Sequence, residues 1–180
     1  MRGSFLLLGL LLACDRGAAP TAPRDEKAAE PKAPTAEVVR MDGYGALHFG
    51  RSVGEAGTAL GEHLEVPAEG CHVVAPSSAG QPPRFTLLVQ DGVVARIDVR
   101  SAELVAERGG RVGMSGEELR RAYAGVPILE EPHKYEPKGG AWIVGPPASA
   151  HFVFELDASG RVIEWRAGVP PQIDWVERCG

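Results

Sequence analysis

Three groups of residues have types and spacing that could support chemistry. Gly50-Arg51-Ser52-Val53-Gly54 matches G-x-S-x-G, a strained turn that can present a nucleophilic serine, and Asp98 with His133 or His151 follow in triad order. That chemistry needs a strand-turn-helix unit inside a parallel sheet, whereas hairpin patterns surround this motif. Ser115 stands in an equivalent context, and both serines are followed three residues later by a glutamate, Glu55 and Glu118. This is the capping-box spacing: the serine oxygen accepts from an amide of the first helical turn and the glutamate reaches back. Helix capping explains both serines with one cause, so no residue is assigned a catalytic role. The alternative is a small hydrolase or ligand-binding enzyme using Ser52 or His133.

The second group is the polar and aromatic run Glu131-Pro132-His133-Lys134-Tyr135-Glu136-Pro137, the densest such cluster in the chain. Side chains of this kind on a loop carried by a rigid scaffold are suited to binding, so His133, Lys134, Tyr135 and Glu136 are candidate contact residues. The third group is the set of five histidines, 48, 63, 72, 133 and 151, which show neither HxH nor HExxH spacing. A metal site therefore has no support in the sequence. Gly139-Gly140 is a lone pair and makes no phosphate cradle, and no cofactor is implied. Trp165 falls on an apolar parity, while Trp142 and Trp175 could be core or partly exposed anchors.

The elements that must position these residues begin after an address. Arg2, the apolar run Phe5 to Leu12, then Ala13 and Cys14 read as an export signal over residues 1–13. Its apolar run is far below the roughly 20 residues that span a bilayer. Leu11-Leu12-Ala13-Cys14 resembles the lipobox of bacterial lipoproteins, which implies lipid on Cys14 and attachment to a membrane of the cell envelope. Residues 14–37 follow as Cys14 and then, from Asp15 to Glu37, only Ala, Pro, Thr, Gly and charged residues that cannot bury a core, the composition of a tether. The net charge of −5, with Lys and Arg scattered among acids, excludes the footprint of a nucleic-acid binder. With Cys14 assigned to lipid, Cys71 and Cys179 remain as an even pair in an export compartment and are expected to form a disulfide.

Internal similarity organises the remainder. Phe49 to Ala56 matches Val112 to Leu119 at an offset of 63, and Phe85 to Val99 matches Phe152 to Ala167 at an offset drifting to 67. Each unit, 38–107 and 108–180, reads as a short helix followed by antiparallel strands, giving an α+β fold of two tandem units. Around the turns at Asp91-Gly92 and Asp157 to Gly160, Phe85, Leu87, Val89, Ala95, Ile97 and Val99 take an apolar face, as do Phe152, Phe154, Leu156, Ile163 and Trp165. Arg96, Asp98, Arg100, His151, Glu155, Glu164 and Arg166 take the other face, which is expected to be wet. Arg96 and Arg166 thereby join the candidate contact residues. The extra residues of the second unit fall around 131–137.

A helix-opening Phe-Gly-x-Ser or Val-Gly-Met-Ser followed by Glu, with ends at Leu60-Gly61 and Tyr123-Ala124-Gly125, resembles the repeat of β-lactamase inhibitory protein and of small outer-membrane assembly lipoproteins sharing its fold. Copy one departs from it at Arg51, and Gly54 and Gly57 weaken its helix. Pro132-His133-Lys134-Tyr135 and Trp175-Val176-Glu177-Arg178-Cys179 are similar to stretches of uncharacterised bacterial exported proteins. The resemblances imply a tandem-repeat lipoprotein with no known activity. Taken together, the sequence leads to the expectation of a non-enzymatic, lipid-anchored module that contacts another envelope protein.

Overall fold

A computed structural model describes residues 37–179; the expected signal segment, Cys14 and nearly all of the tether lie outside the described residues. The architecture is α+β. Strands β1 (Val38–Arg40), β2 (Gly43–Tyr44) and β3 (Leu47–His48) lead to helix α1 (Val53–Leu60), then β4 (Cys71–Val74), β5 (Phe85–Gln90), β6 (Val93–Val99) and β7 (Val105–Ala106). Helix α2 (Gly116–Ala122) precedes β8 (Ile128–Pro132), β9 (Gly140–Val144), β10 (His151–Leu156) and β11 (Val162–Gly168), and a 3-10 turn at Gln172–Asp174 closes the chain. A small sheet has the order β3-β2-β1-β7, and a seven-stranded sheet the order β4-β5-β6-β11-β10-β9-β8. The large sheet is antiparallel throughout and continuous across the boundary expected at 107/108, through the pairing of β11 with β6. Among the described residues, no helix is long and apolar enough to cross a membrane.

Both capping boxes form. Ser52 accepts from the Glu55 amide while Glu55 accepts from the Ser52 amide, and Ser115 and Glu118 repeat this geometry. Hydrogen bonding to serine keeps both glutamate carboxyls below their ordinary range, aided at Glu55 by the charge of Arg51 and at Glu118 by that of Arg121. Each cap also forms a bridge to the start of the following hairpin's second strand, Ser52 to Val93 and Ser115 to Arg161. Gly57, which weakens α1 in isolation, is where the helix meets the returning chain: a Cβ there would lie 2.7 Å from the Glu62 carbonyl.

One face of the large sheet packs into a core with α1, α2 and the small sheet, including Leu87, Ile97, Val99, Leu119, Phe152, Phe154 and Trp165. Tyr123, Phe152, Phe154 and Trp165 form an edge-to-face and tilted cluster with centroids up to 6.0 Å apart. Strict alternation fails at two places. A bulge between Glu155 and Leu156 pairs Leu156 with Val162, so Val162 enters the core and Ile163, expected there, is exposed. An equivalent bulge pairs Val89 with Val94, and Val94 takes the core position expected of Ala95. Glu37, read as the last residue of the tether, belongs to the fold: its carboxylate accepts from Tyr44 Oη at 2.7 Å and Arg84 Nη1 at 2.5 Å. Burial and that carboxylate together push the Tyr44 phenol up to about 12.

Cys71 and Cys179 are bonded, with Cα atoms 5.4 Å apart. The bridge fixes the C-terminal segment to edge strand β4. Replacing Ser52 or Ser115 with alanine should each cost about 1 kcal/mol in a urea melt. A cost below measurement error at both positions would remove capping as their role. Reduction of the disulfide should lower the melting midpoint, because the closed loop of 108 residues constrains the unfolded chain by up to about 4.7 kcal/mol.

Candidate functional site

The face expected to be wet is covered. Residues 169–179 cross it as a strap, and beneath them Arg96 is 1% exposed, Arg166 4% and His151 0%. Asp98 and Glu155 are buried as well. The two arginines occupy the sheet's central seam: Arg166 pairs across β11–β6 with Asp98, and Arg96 sits opposite Gly168. Gly168 is required there, since a Cβ would approach Arg96 Cβ to 2.4 Å.

Each buried charge has a partner. Arg96 donates to Asp98 at 3.1 Å and to the strap carbonyls of Gln172 and Trp175 at 2.8 and 2.7 Å. Burial drives its pKa down against the pull of the Asp98 charge, and the charges of Arg166 and Arg178 push the same way as burial. Arg166 donates through Nε to the Ile173 carbonyl at 2.7 Å and through Nη1 to Glu155. His151 lies 2.8 Å from the Ser149 carbonyl and 3.1 Å from Asp174 of the strap. Arg96 and Arg166, expected as surface contacts, are instead the groups that bind the strap's backbone. A guanidinium's fork of donors matches the carbonyls of the 3-10 turn and its end, where Gln172 accepts from Arg96 in addition to the Trp175 amide.

Where the strap ends its coverage a groove opens. Its floor is Ala141, Ile143, Val153, Glu155 and Arg166, and its walls are His133 and Lys134 on one side and Asp174 and Val176 on the other. The enclosed volume is about 340 Å3. The loop that forms one wall is shorter than the sequence pattern suggested, because Glu131 and Pro132 belong to edge strand β8. Their alternation with Leu129 and Glu130 continues the β9 register, which a reading centred on the prolines missed.

His133 is nearly buried, and its hydrogen bonds fix its tautomer. Nδ1 accepts from the amides of Tyr135 and Glu136 at 3.1 and 2.9 Å, so it carries no proton. Nε2 therefore carries the hydrogen and donates to Glu155 at 3.1 Å. Both ring nitrogens are occupied by the fold. Burial would raise the Glu155 carboxyl, but the charge and hydrogen bond of Arg166, joined by the hydrogen bond from His133, overcome this and hold it below its ordinary 4.5.

The other expected residues separate. Lys134 and Tyr135 both reach Glu177 of the strap, Lys134 at 2.5 Å, with the ammonium 5.2 Å from the Tyr135 ring centroid. They latch loop to strap, and Tyr135 remains 62% exposed. Glu136 contributes its amide to His133. Trp142 is core and no surface anchor: it is buried against α2, with the Arg120 guanidinium 4.4 Å from its ring centroid, and a Cβ on Gly116 would strike it at 2.6 Å. Ser52 is a cap, and among the described residues no histidine hydrogen-bonds to it. No group of metal-ligating side chains forms among the described residues. Glu155 and Val176 line the groove yet were not singled out as contact residues by sequence; the alternation placed Glu155 on the charged face, and Val176 stood only within the C-terminal stretch that carries a resemblance.

No protein-family model and no curated relative matches the chain. Among solved structures it is similar to the uncharacterized protein yfeY from Escherichia coli, at 15% identity and a TM-score of 0.44, covering 72% of this chain and 98% of that one.

Removing one partner of a buried ion pair strands the other, so Glu155→Gln should cost about 3–5 kcal/mol. The sign of its pH dependence follows from a folded pKa below the unfolded one. The stabilisation is complete above the unfolded value near 4.5 and is lost as pH falls through the folded value. Melting of the parent chain should therefore fall more steeply than that of Glu155→Gln as pH drops below that value. Parallel acid profiles would remove Glu155 from the account.

Proposed function

We propose that the chain is a non-enzymatic binding module of the bacterial cell envelope, anchored by lipid on Cys14 and contacting another envelope protein through the groove and its rim. The observation that carries this reading is the groove itself, built on a scaffold that a disulfide and buried ion pairs make rigid. Edge strand β8 borders it, its outer side paired to no other strand among the described residues, and Leu129 is 49% exposed there. Such an edge, next to a shaped cavity, suits recognition of an extended segment by strand addition.

A tandem-unit architecture like that of β-lactamase inhibitory protein is supported by details that coincide in the two halves. The amides of Gly50 and Gly113 donate to the Val94 and Val162 carbonyls, and the amides of those valines donate back to Arg51 and Met114. Capping boxes, bridges and bulges coincide in the same way. The envelope address rests on the signal-like first residues and the lipobox resemblance.

Two measurements test the proposal. Cells fed an alkyne fatty acid should label the parent chain and not Cys14→Ser. A photo-crosslinking residue at Leu129 should yield a discrete envelope adduct, whereas the same residue at Val93, which is also exposed but sits at the β5–β6 turn, should not. Unchanged labelling of Cys14→Ser defeats the anchor, and equal adducts at both sites defeat the interface.

A further inference from the structure

The groove has an apolar floor and a charged end, and the chemistry of that end selects a ligand. Arg166 is 4% exposed and lines the cavity. Its Nε and Nη1 are spent on Ile173 and Glu155, but Nη2 makes no hydrogen bond to any described residue. Nη2 is not one of the fully buried polar atoms that lack a partner, so it keeps contact with the open cavity that Arg166 lines. An amino group there can donate to an occupant in place of water. The other cationic and imidazole donors of the lining are engaged: Lys134 is matched by Glu177, and His133 presents only an N–H to Glu155. Nη2 is thus the donor the fold leaves open to an occupant of the cavity.

The charge balance decides what kind of acceptor fits. The lining contains three carboxylates, Glu131, Glu155 and Asp174, against Lys134 and Arg166, with His133 neutral in the tautomer its contacts impose. A further anion meets net negative charge, while a neutral oxygen does not. Ala141, Ile143, Val153 and Val176 offer apolar contact beside that donor. A volume of about 340 Å3 stands at the small end of ligand cavities, which run from about 300 to 1,000 Å3.

We infer that the groove binds a neutral amide carried on a small apolar body, its carbonyl oxygen accepting from Arg166 Nη2 and its apolar part resting on Ile143, Val153 and Val176. The inference rests on the reading of the groove as a binding site. An amide of this kind is offered by a peptide segment with an apolar side chain or by an amide-linked acyl chain, and the two are separable by probe.

The test is a titration of the purified full chain, followed by NMR of the Arg166 side-chain N–H groups and the Ala141 and Ile143 amides. The probes are N-acetyl-leucinamide, octanamide and octanoate. Both amides should shift these resonances saturably, and octanoate should bind about tenfold or more weakly than octanamide, the cost of about 1.4 kcal/mol. Tighter binding of N-acetyl-leucinamide assigns the site to peptide, and tighter binding of octanamide to an acyl amide. Ala141→Leu, or Val176→Trp if the former does not fold, should abolish the shifts, while Val93→Ala, exposed and outside the groove, should retain them. No saturable shift with either amide, octanoate binding as tightly as octanamide, or full binding by the filled variant would each overturn the inference. Adducts at Leu129 without amide binding would leave the envelope-module reading standing and remove this one; amide binding without adducts would do the reverse.

Discussion

Everything outside the apolar core depends on how the buried charges of the sheet's second face are satisfied. Arg96, Asp98, Arg166 and Glu155 sit on the three central strands, where neither edge gives access to water. Ionised groups in that position persist only when each is paired and hydrogen-bonded. Ion pairs along and across the strands meet part of the demand, and the strap's carbonyls at Gln172, Ile173 and Trp175 meet most of the rest. Arg178 of the strap adds its charge near Asp98 and Glu164, 3.6 and 3.7 Å away. The strap is held because the arginines need it, and the arginines tolerate burial because the strap is there.

The same constraint places the groove. The strap covers the sheet's middle, where Ile173 is buried, and its residues Asp174 and Val176 form one side of the groove over β9 and β10. The loop after β8 closes the other side through His133 and is latched to the strap by Lys134, Tyr135 and Glu177. The cavity is what remains between two segments that are each fixed by the Arg166–Glu155 pair. Its shape is thus tied to the stability of the domain, and a ligand meets a surface already organised at no further cost in chain entropy.

The opposite face is governed by packing. Two short helices, each opened by a capping box and bridged to the hairpin that follows, lie against the sheet with the four-stranded sheet beside them. The bulges let a seven-stranded sheet twist over this layer while Val94 and Val162 fill the core. Tyr123 anchors α2 from below through its phenol, which donates to the Glu107 carbonyl at 2.7 Å, and burial raises the pKa of that phenol.

Local features were legible from residue order alone. Ser-x-x-Glu defines a helix start because its hydrogen bonds close within four residues, and hairpin alternation separates apolar from charged side chains because the strand period is two. The even cysteine pair followed from counting, and the α+β class from the succession of these patterns. Alternation names a face without saying what lies over it, so the charged side chains read as wet until the strap was in place. A bulge is invisible for a related reason: it depends on which residue of the partner strand is opposite, and this moved Ile163 out and Val162 in. His133 stood out by composition, but its fixed tautomer and its alliance with Glu155 and Arg166 join residues up to 33 positions apart. Sequence therefore determined the caps, the hairpins and the cross-link, which rest on short-range bonding and residue count. Only the tertiary structure decided that a charged face is interior and that a cavity opens beside it, because desolvation and pairing of charge depend on what the distant C-terminal segment covers.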